Sequence, residues 1–418
     1  MSKQNAQGKV AVTAGLRGAS WNPARMTAPY ATHPFPLVTQ DGQASLGILF
    51  SRASERRVVF VMHPREFVMT HYLVPEVLDA GWACWVQAPR SIGTDLRLEH
   101  EIALHDVAAG MRQLRELGFE TIVMLGNSGG AGLFAFYSQQ SQLAVQDRVL
   151  RTPGGRPTGL EQETMPVADG MIFVSPHPGQ GMLLMNSLDP SVVDEADPFS
   201  RDPALDPFSA DNGFRRPPES SRYTPEFIER YRRAQRERAA RLDQRAHDLI
   251  EQRQSARARL KEAPSRADKL VASHAPILQV WRTDADLRCW DTSLDPSERR
   301  VGSLWGADPA VSNLGSVGFG RLVTPESWLS TWSGLSSNAS MEKCAAAVVQ
   351  PTLLIEYTGD NCVFPADADA IFDAFGAADK TRHKVRGNHH GQALDEADEP
   401  GQAIAGRHLR SWLNERFR

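Results

Sequence analysis

Short apolar runs that alternate with helix-length segments, break off, and later resume constrain this chain's fold more than any other feature. The runs over residues 57–62, 82–88, 121–125 and 169–175 each have the length and composition of a strand buried on both faces. Between them, 73–80, 96–117 and 131–139 carry helical spacing, and Gly81 and Gly118 stop the first two. Ahead of them, Pro36-Leu-Val-Thr-Gln40 and Leu46-Gly-Ile-Leu-Phe50 flank Asp41-Gly42, a hairpin signal. Strand and helix in this order predict an α/β fold, a mostly parallel central sheet with helices on both faces. Ordered structure is expected from about Phe35, with 1–34 a loosely ordered leader. Its weak apolar patch, Val10 to Leu16, is broken by Thr13 and Gly15 and does not read as a signal peptide.

The alternation stops after residue 176. Residues 189–211 carry seven acidic side chains against the single Arg201. A long helix is then expected over 224–261, capped by Thr224 with Pro225 at its first position. From Arg222 to Glu262 twelve basic residues stand against seven acidic ones, a net of five. The interleaved acids point to a solvated or lid-packing helix, with a homodimer through this region as an alternative, rather than to nucleic acid. Strand character returns over 348–356 and 383–386, with helices over 366–375 and 402–417. The expected organisation is therefore a core in two parts, 35–176 and 345–418. They are separated by a large, mainly helical and irregular cap insertion over 177–344.

A net charge of -4 gives no reason to expect a nucleic-acid or membrane partner. No apolar run approaches the ~20 residues that span a bilayer. Cys84, Cys289, Cys344 and Cys362 are far apart and form no CxxC pair. They read as reduced thiols of a cytoplasmic protein. No cluster along the chain has metal-ligand spacing, so neither a metal nor a cofactor is expected. Trp281, Trp290, Trp305, Trp328 and Trp332 crowd the second half of the insertion, as core or as the lining of an apolar pocket.

Chemistry concentrates at Gly126-Asn127-Ser128-Gly129-Gly130, which follows the 121–125 strand and opens a helix. In that context Ser128 sits on a strained strand-to-helix turn, and the glycines let neighbouring backbone approach. The turn exposes the hydroxyl and leaves the Gly129 N–H facing the place where an oxyanion develops. A nucleotide-binding loop is excluded by the lack of Lys-Ser/Thr after the glycines. A serine needs a base, and the base an orienting acid. Asp360, at the end of the 348–356 strand, is the nearest acid. His389 and His390, in Gly387-Asn388-His389-His390-Gly391, are the late histidines after a strand.

These residues resemble the α/β-hydrolase superfamily, in its large-cap serine hydrolases with a Gly-Asn-Ser-Gly-Gly elbow. The resemblance covers 35–176 and 345–418. Its acid loop, Gly-x-x-Asp followed by Val-Pro, is matched in compressed form by Gly359-Asp360 and Val363-Phe364-Pro365. Asp367 and Asp369 remain lesser candidates, suited to the start of the next helix. Its Gly-x-x-His turn matches Gly387 to His390, which favours His390 as base and leaves His389 as a neighbour or substrate contact. Its second oxyanion donor follows a His-Gly pair. Here His63-Pro64 stands instead, so the resemblance assigns that role to the N–H of Arg65. His63, Glu66, Asn127 and His177 are further candidates for substrate contact. The resemblance implies a serine hydrolase that cleaves a carboxylic ester, or an amide or lactone, of a small, largely apolar or aromatic substrate through an acyl-enzyme. Carbon–carbon cleavage of a diketone-like substrate by the same triad, or a non-enzymatic ligand sensor on the same fold, are the alternatives.

Overall fold

The computed structural model describes residues 28–52, 54–315 and 318–417. Most of the expected leader, including Val10 to Leu16, lies outside them. An eight-stranded sheet is formed by β1 (Ala31–Val38), β2 (Ala44–Ser51), β3 (Arg57–Met62), β4 (Ala83–Gln87), β5 (Thr121–Asn127), β6 (Gly170–Val174), β9 (Thr352–Tyr357) and β10 (Lys380–Val385). Two short strands of the insertion, β7 (Leu278–Gln279) and β8 (Leu322–Val323), pair separately. The order across the large sheet is β1-β2-β4-β3-β5-β6-β9-β10. The β1–β2 and β2–β4 pairings are antiparallel and the rest parallel. This topology, with the elbow described below, is that of an α/β-hydrolase fold.

The central strands are apolar throughout because both faces are covered. In β3, Val58, Phe60 and Met62 enter one core while Val59 and Val61 enter the other. The first core is closed by α2 (His100–Glu116) and α3 (Gly129–Gln142), and the second by α1 (Val74–Asp79) and the helix Gly401–Arg416. Strand β1 starts at Ala31, ahead of the expected Phe35, because Ala31 to Pro34 pair with Ile48 to Ser51. Helix α2 starts at His100 and not at 96. The preceding turn bonds elsewhere: Thr324 N–H donates to the Leu96 carbonyl and Thr331 Oγ–H to that of Leu98.

Between β6 and β9 the chain forms α4 (Gln180–Ser187), α5 (Pro225–Glu262), α6 (Arg266–Ser273) and irregular segments. Thr224 caps α5, its hydroxyl accepting from Phe227 N–H. The α5 side chains Ala239, Leu242, Ala246 and Ile250 pack with Leu183 and Leu184 of α4 and with Trp328 and Trp332. Among the described residues, no helix is long and apolar enough to cross a membrane.

Candidate active site

Strand register gathers the site. Asn127 pairs with Val174, Val174 with Ile355, and Tyr357 with Val385, so the loops after β5, β6, β9 and β10 leave one edge of the sheet together. Ser128 N–H donates to the Val174 carbonyl (2.9 Å) and Gly359 N–H to that of Gly387 (2.9 Å), carrying the pairing into the loops. Carboxyl ends of parallel strands are where α/β sheets place ligands.

Ser128 has φ 55° and ψ −121°, a conformation costing a non-glycine residue about 1–3 kcal/mol. The flanking glycines permit it. A Cβ on Gly126 would lie 2.7 Å from Ala131 Cα, and one on Gly130 2.6 Å from the Met62 carbonyl oxygen. The elbow is thus pressed against both its own helix and β3.

Asp360, Ser128 and His389 form one chain of hydrogen bonds. Asp360 Oδ1 accepts from the N–H groups of Cys362 (2.7 Å) and Val363 (3.0 Å). Its Oδ2 accepts from His389 Nδ1 at 2.7 Å, which places the neutral ring's lone pair on Nε2. Ser128 Oγ lies 2.9 Å from that nitrogen. Asp360 and His389 are 2% and 1% exposed, so water does not compete for either.

The structure therefore corrects the choice of His390. Asn388 Oδ1 accepts from His390 N–H and Gln392 N–H, and Gly391, with φ 70°, donates to the Asn388 carbonyl. This turn presents His389 to Asp360 and sets the His390 ring at 66° to it, along the cavity wall. Asp367 and Asp369 are elsewhere, bonded to Arg288 and Arg382.

Arg65 also departs from expectation. Its N–H donates to His63 Nδ1 (3.3 Å), and its guanidinium bonds Asp95 (2.6 Å) and lies over Phe319 and Trp332. It ties the loop after β3 to the insertion, and its own amide is engaged by His63. Accepting at Nδ1 puts the His63 proton on Nε2. Burial, then the charge on Arg65, holds His63 well below the usual imidazole range, so the ring is neutral. A methyl group on Gly129 would lie 2.9 Å from His63 Nε2 and 2.8 Å from Gln180 Nε2. Two side-chain N–H donors thus wall the space beside Gly129.

His177 is a close neighbour of Ser128. Its Nε2 lies 2.8 Å from Ser128 Oγ and 3.5 Å from Cys362 Sγ, and its ring stacks on His389. Burial, then the charge of His389, keeps it well below the usual imidazole range. Asn127 is a brace: its amide donates to the Val174 carbonyl and its Oδ1 accepts from His71. Glu66 lines the cleft, and burial raises its carboxyl. Gln180 and Cys362 were not singled out from the sequence. The signal available was position, since Pro176-His177-Pro178-Gly179-Gln180 follows β6 as the elbow follows β5.

The cleft over Ser128 is narrow, with a cavity volume of ≈ 40 Å³. Val61 and Val68 form its apolar floor and Leu304, Trp305 and Phe319, from the insertion, its roof.

No family model and no curated protein matches the chain. Solved structures similar to it include the esterase domain of a Rhodothermus marinus protein, at 10% identity over 92% of this chain and 98% of that one, TM-score 0.44. DcsB in complex with its substrate analogue is 13% identical over 92% and 99%, TM-score 0.49. The α/β hydrolase GrgF from Penicillium sp. sh18 is 12% identical over 92% and 98%, TM-score 0.46. Likeness at this level assigns the chain neither substrate nor activity.

Proposed function

We propose that the chain is a serine hydrolase acting on a carboxylic ester of a small, largely apolar or aromatic acid. The observation that carries this reading is the continuous chain Asp360–His389–Ser128 on a strained elbow. In the first step His389 Nε2 takes the Ser128 proton as Oγ attacks the ester carbonyl. Asp360 holds the tautomer and stabilises the imidazolium. The oxyanion forms beside Gly129, whose N–H, as first residue of α3, has no partner within the helix. With Arg65 N–H engaged, His63 Nε2–H supplies the second donor, and the Gln180 amide a third. A neutral imidazole donor fits a developing negative charge without itself titrating near pH 7. His389 then returns the proton to the leaving alcohol, and water repeats the sequence on the acyl-enzyme. Leu304, Trp305 and Phe319 enclose the acyl group and exclude bulk water.

A fluorophosphonate probe read by intact mass tests this. One adduct is expected on the wild type and none on Ser128→Ala. An unlabelled wild type, or an adduct that persists in Ser128→Ala, would overturn the assignment.

A further inference from the structure

Cys362, His177 and His389 are buried and offer Sγ and one ring nitrogen each, all within 4.8 Å of one another, and Nε2 of both histidines contacts Ser128 Oγ. The chain contributes them from three different loops, and none is required to be a thiol for ester hydrolysis. From this geometry we infer that the three atoms form a site for a borderline-soft divalent cation of the Zn²⁺ class. Its occupation switches the serine off.

The spacing suits such an ion. Tetrahedral zinc holds imidazole nitrogen at about 2.0–2.1 Å and thiolate sulfur at about 2.3 Å. Those radii put neighbouring donors roughly 3.3–3.6 Å apart, and Cys362 Sγ stands 3.5 Å from His177 Nε2. Ser128 Oγ, 2.8 and 2.9 Å from the two imidazole nitrogens, borders the site. One sulfur and two nitrogens select zinc, cadmium or cobalt over magnesium and calcium, which require oxygen.

The surroundings support ligation. His389 carries its second nitrogen on Asp360, the carboxylate–histidine arrangement that fixes a ligating ring and raises its basicity. His177 Nδ1 is buried and makes no hydrogen bond, so the proton that Nε2 shares with Ser128 Oγ can move to Nδ1 to free the Nε2 lone pair. Binding is balanced by release of the Cys362 proton to solvent, so affinity rises with pH.

The consequence for turnover rests on the hydrolase reading. A cation on His389 Nε2 takes the lone pair that would accept the serine proton. Binding itself rests on donor geometry alone, so the two can fail separately.

Tag-free protein titrated with Co²⁺ gives a readout independent of activity. One equivalent is expected to produce tetrahedral d–d bands and a thiolate-to-cobalt charge-transfer band, displaced by Zn²⁺ but not by Mg²⁺. Cys362→Ser loses the charge-transfer band, and Ser128→Ala keeps it. Asp360→Asn weakens binding by roughly 10–100-fold. Zn²⁺ slows fluorophosphonate labelling of the wild type, and a chelator restores it. Absence of the charge-transfer band in wild type, or its persistence in Cys362→Ser, overturns the site. Should Cys362→Ser not fold, loss of the d–d bands in His177→Ala decides, and unchanged bands there overturn it. Labelling by fluorophosphonate that Zn²⁺ leaves unaffected, with the cobalt bands present, overturns the switch.

Discussion

Strands β3, β5 and β6 are mostly apolar on both faces, whereas the insertion between β6 and β9 buries ionised side chains beside its apolar clusters. Arg238 of α5 is fully buried, its guanidinium forked onto Glu195 (2.7 Å twice) and donating to the carbonyls of Asp189 and Trp281. Arg282 bonds the buried Asp189. Burial works against ionisation of Asp286, yet Arg288 and Arg232 hold its carboxyl below the usual range. The acidic run 189–211 and the basic helix are therefore partners, in part, and the insertion closes on itself by neutralising them. Hydrophobic burial is non-directional and follows the period of the strand, while a buried ion pair depends on a few contacts far apart in sequence. The sheet thus fixes the geometry of Ser128, Asp360 and His389, and the insertion, joined by polar contacts, covers them.

The largest contrast between the regions is in turnover. Asp360→Asn, at the end of a sheet strand, is expected to lower kcat by about 10⁴-fold with the fold intact, because His389 would take the wrong tautomer. Steady-state ester hydrolysis beside a thermal melt reads both. A loss below tenfold would place the triad elsewhere.

In stability the regions separate next. Phe60→Ala removes a fully buried ring from the first core and is expected to cost about 3–5 kcal/mol in urea denaturation. Arg238→Ala leaves Glu195, which is partly exposed, to re-solvate, and is expected to cost roughly 2 kcal/mol. A larger loss for Arg238→Ala than for Phe60→Ala would reverse the comparison.

The junction between the regions titrates. Glu101 of α2 is buried and accepts from Ser330 and Asn338 of the insertion. Burial pushes its carboxyl up to about 7 from an ordinary 4.5. Between those values the native chain holds a proton that the unfolded chain has released, so stability falls as pH rises through that window. Glu101→Gln removes this dependence. Relative to wild type, its stability should gain about 3 kcal/mol between pH 4.5 and pH 8, a difference readable in paired urea titrations. Parallel profiles for the two proteins would show that the carboxyl stays ordinary.

How far the sequence could be read follows the same division. The β3, β5 and β6 runs, the strand-to-helix turn at Ser128 and the Thr224 cap are local patterns, each decided within a few residues, and the structure places them close to where they were read. The choice between His389 and His390 was not local. Both follow the same strand, and the Gly-x-x-His spacing favours the wrong one. What decides is the Asn388 side chain, which bonds two following amides and turns His390 away from Asp360. Arg65 was misread for a similar reason, since its partners His63, Asp95 and Phe319 come from two loops and the insertion. His177, a contact candidate from its place after β6, is brought with Gln180 and Cys362 to the Ser128 cleft by strand register.

The account turns on His389 as the base for Ser128, and labelling by fluorophosphonate in two single variants tests it most directly. His389→Ala is predicted to reduce the labelling rate by roughly 10⁴-fold or more, as loss of a triad member does. His390→Ala is predicted to label within about tenfold of wild type, since it is His389 that bonds both Asp360 and Ser128. Near-normal labelling of His389→Ala, with labelling lost in His390→Ala, would contradict the account.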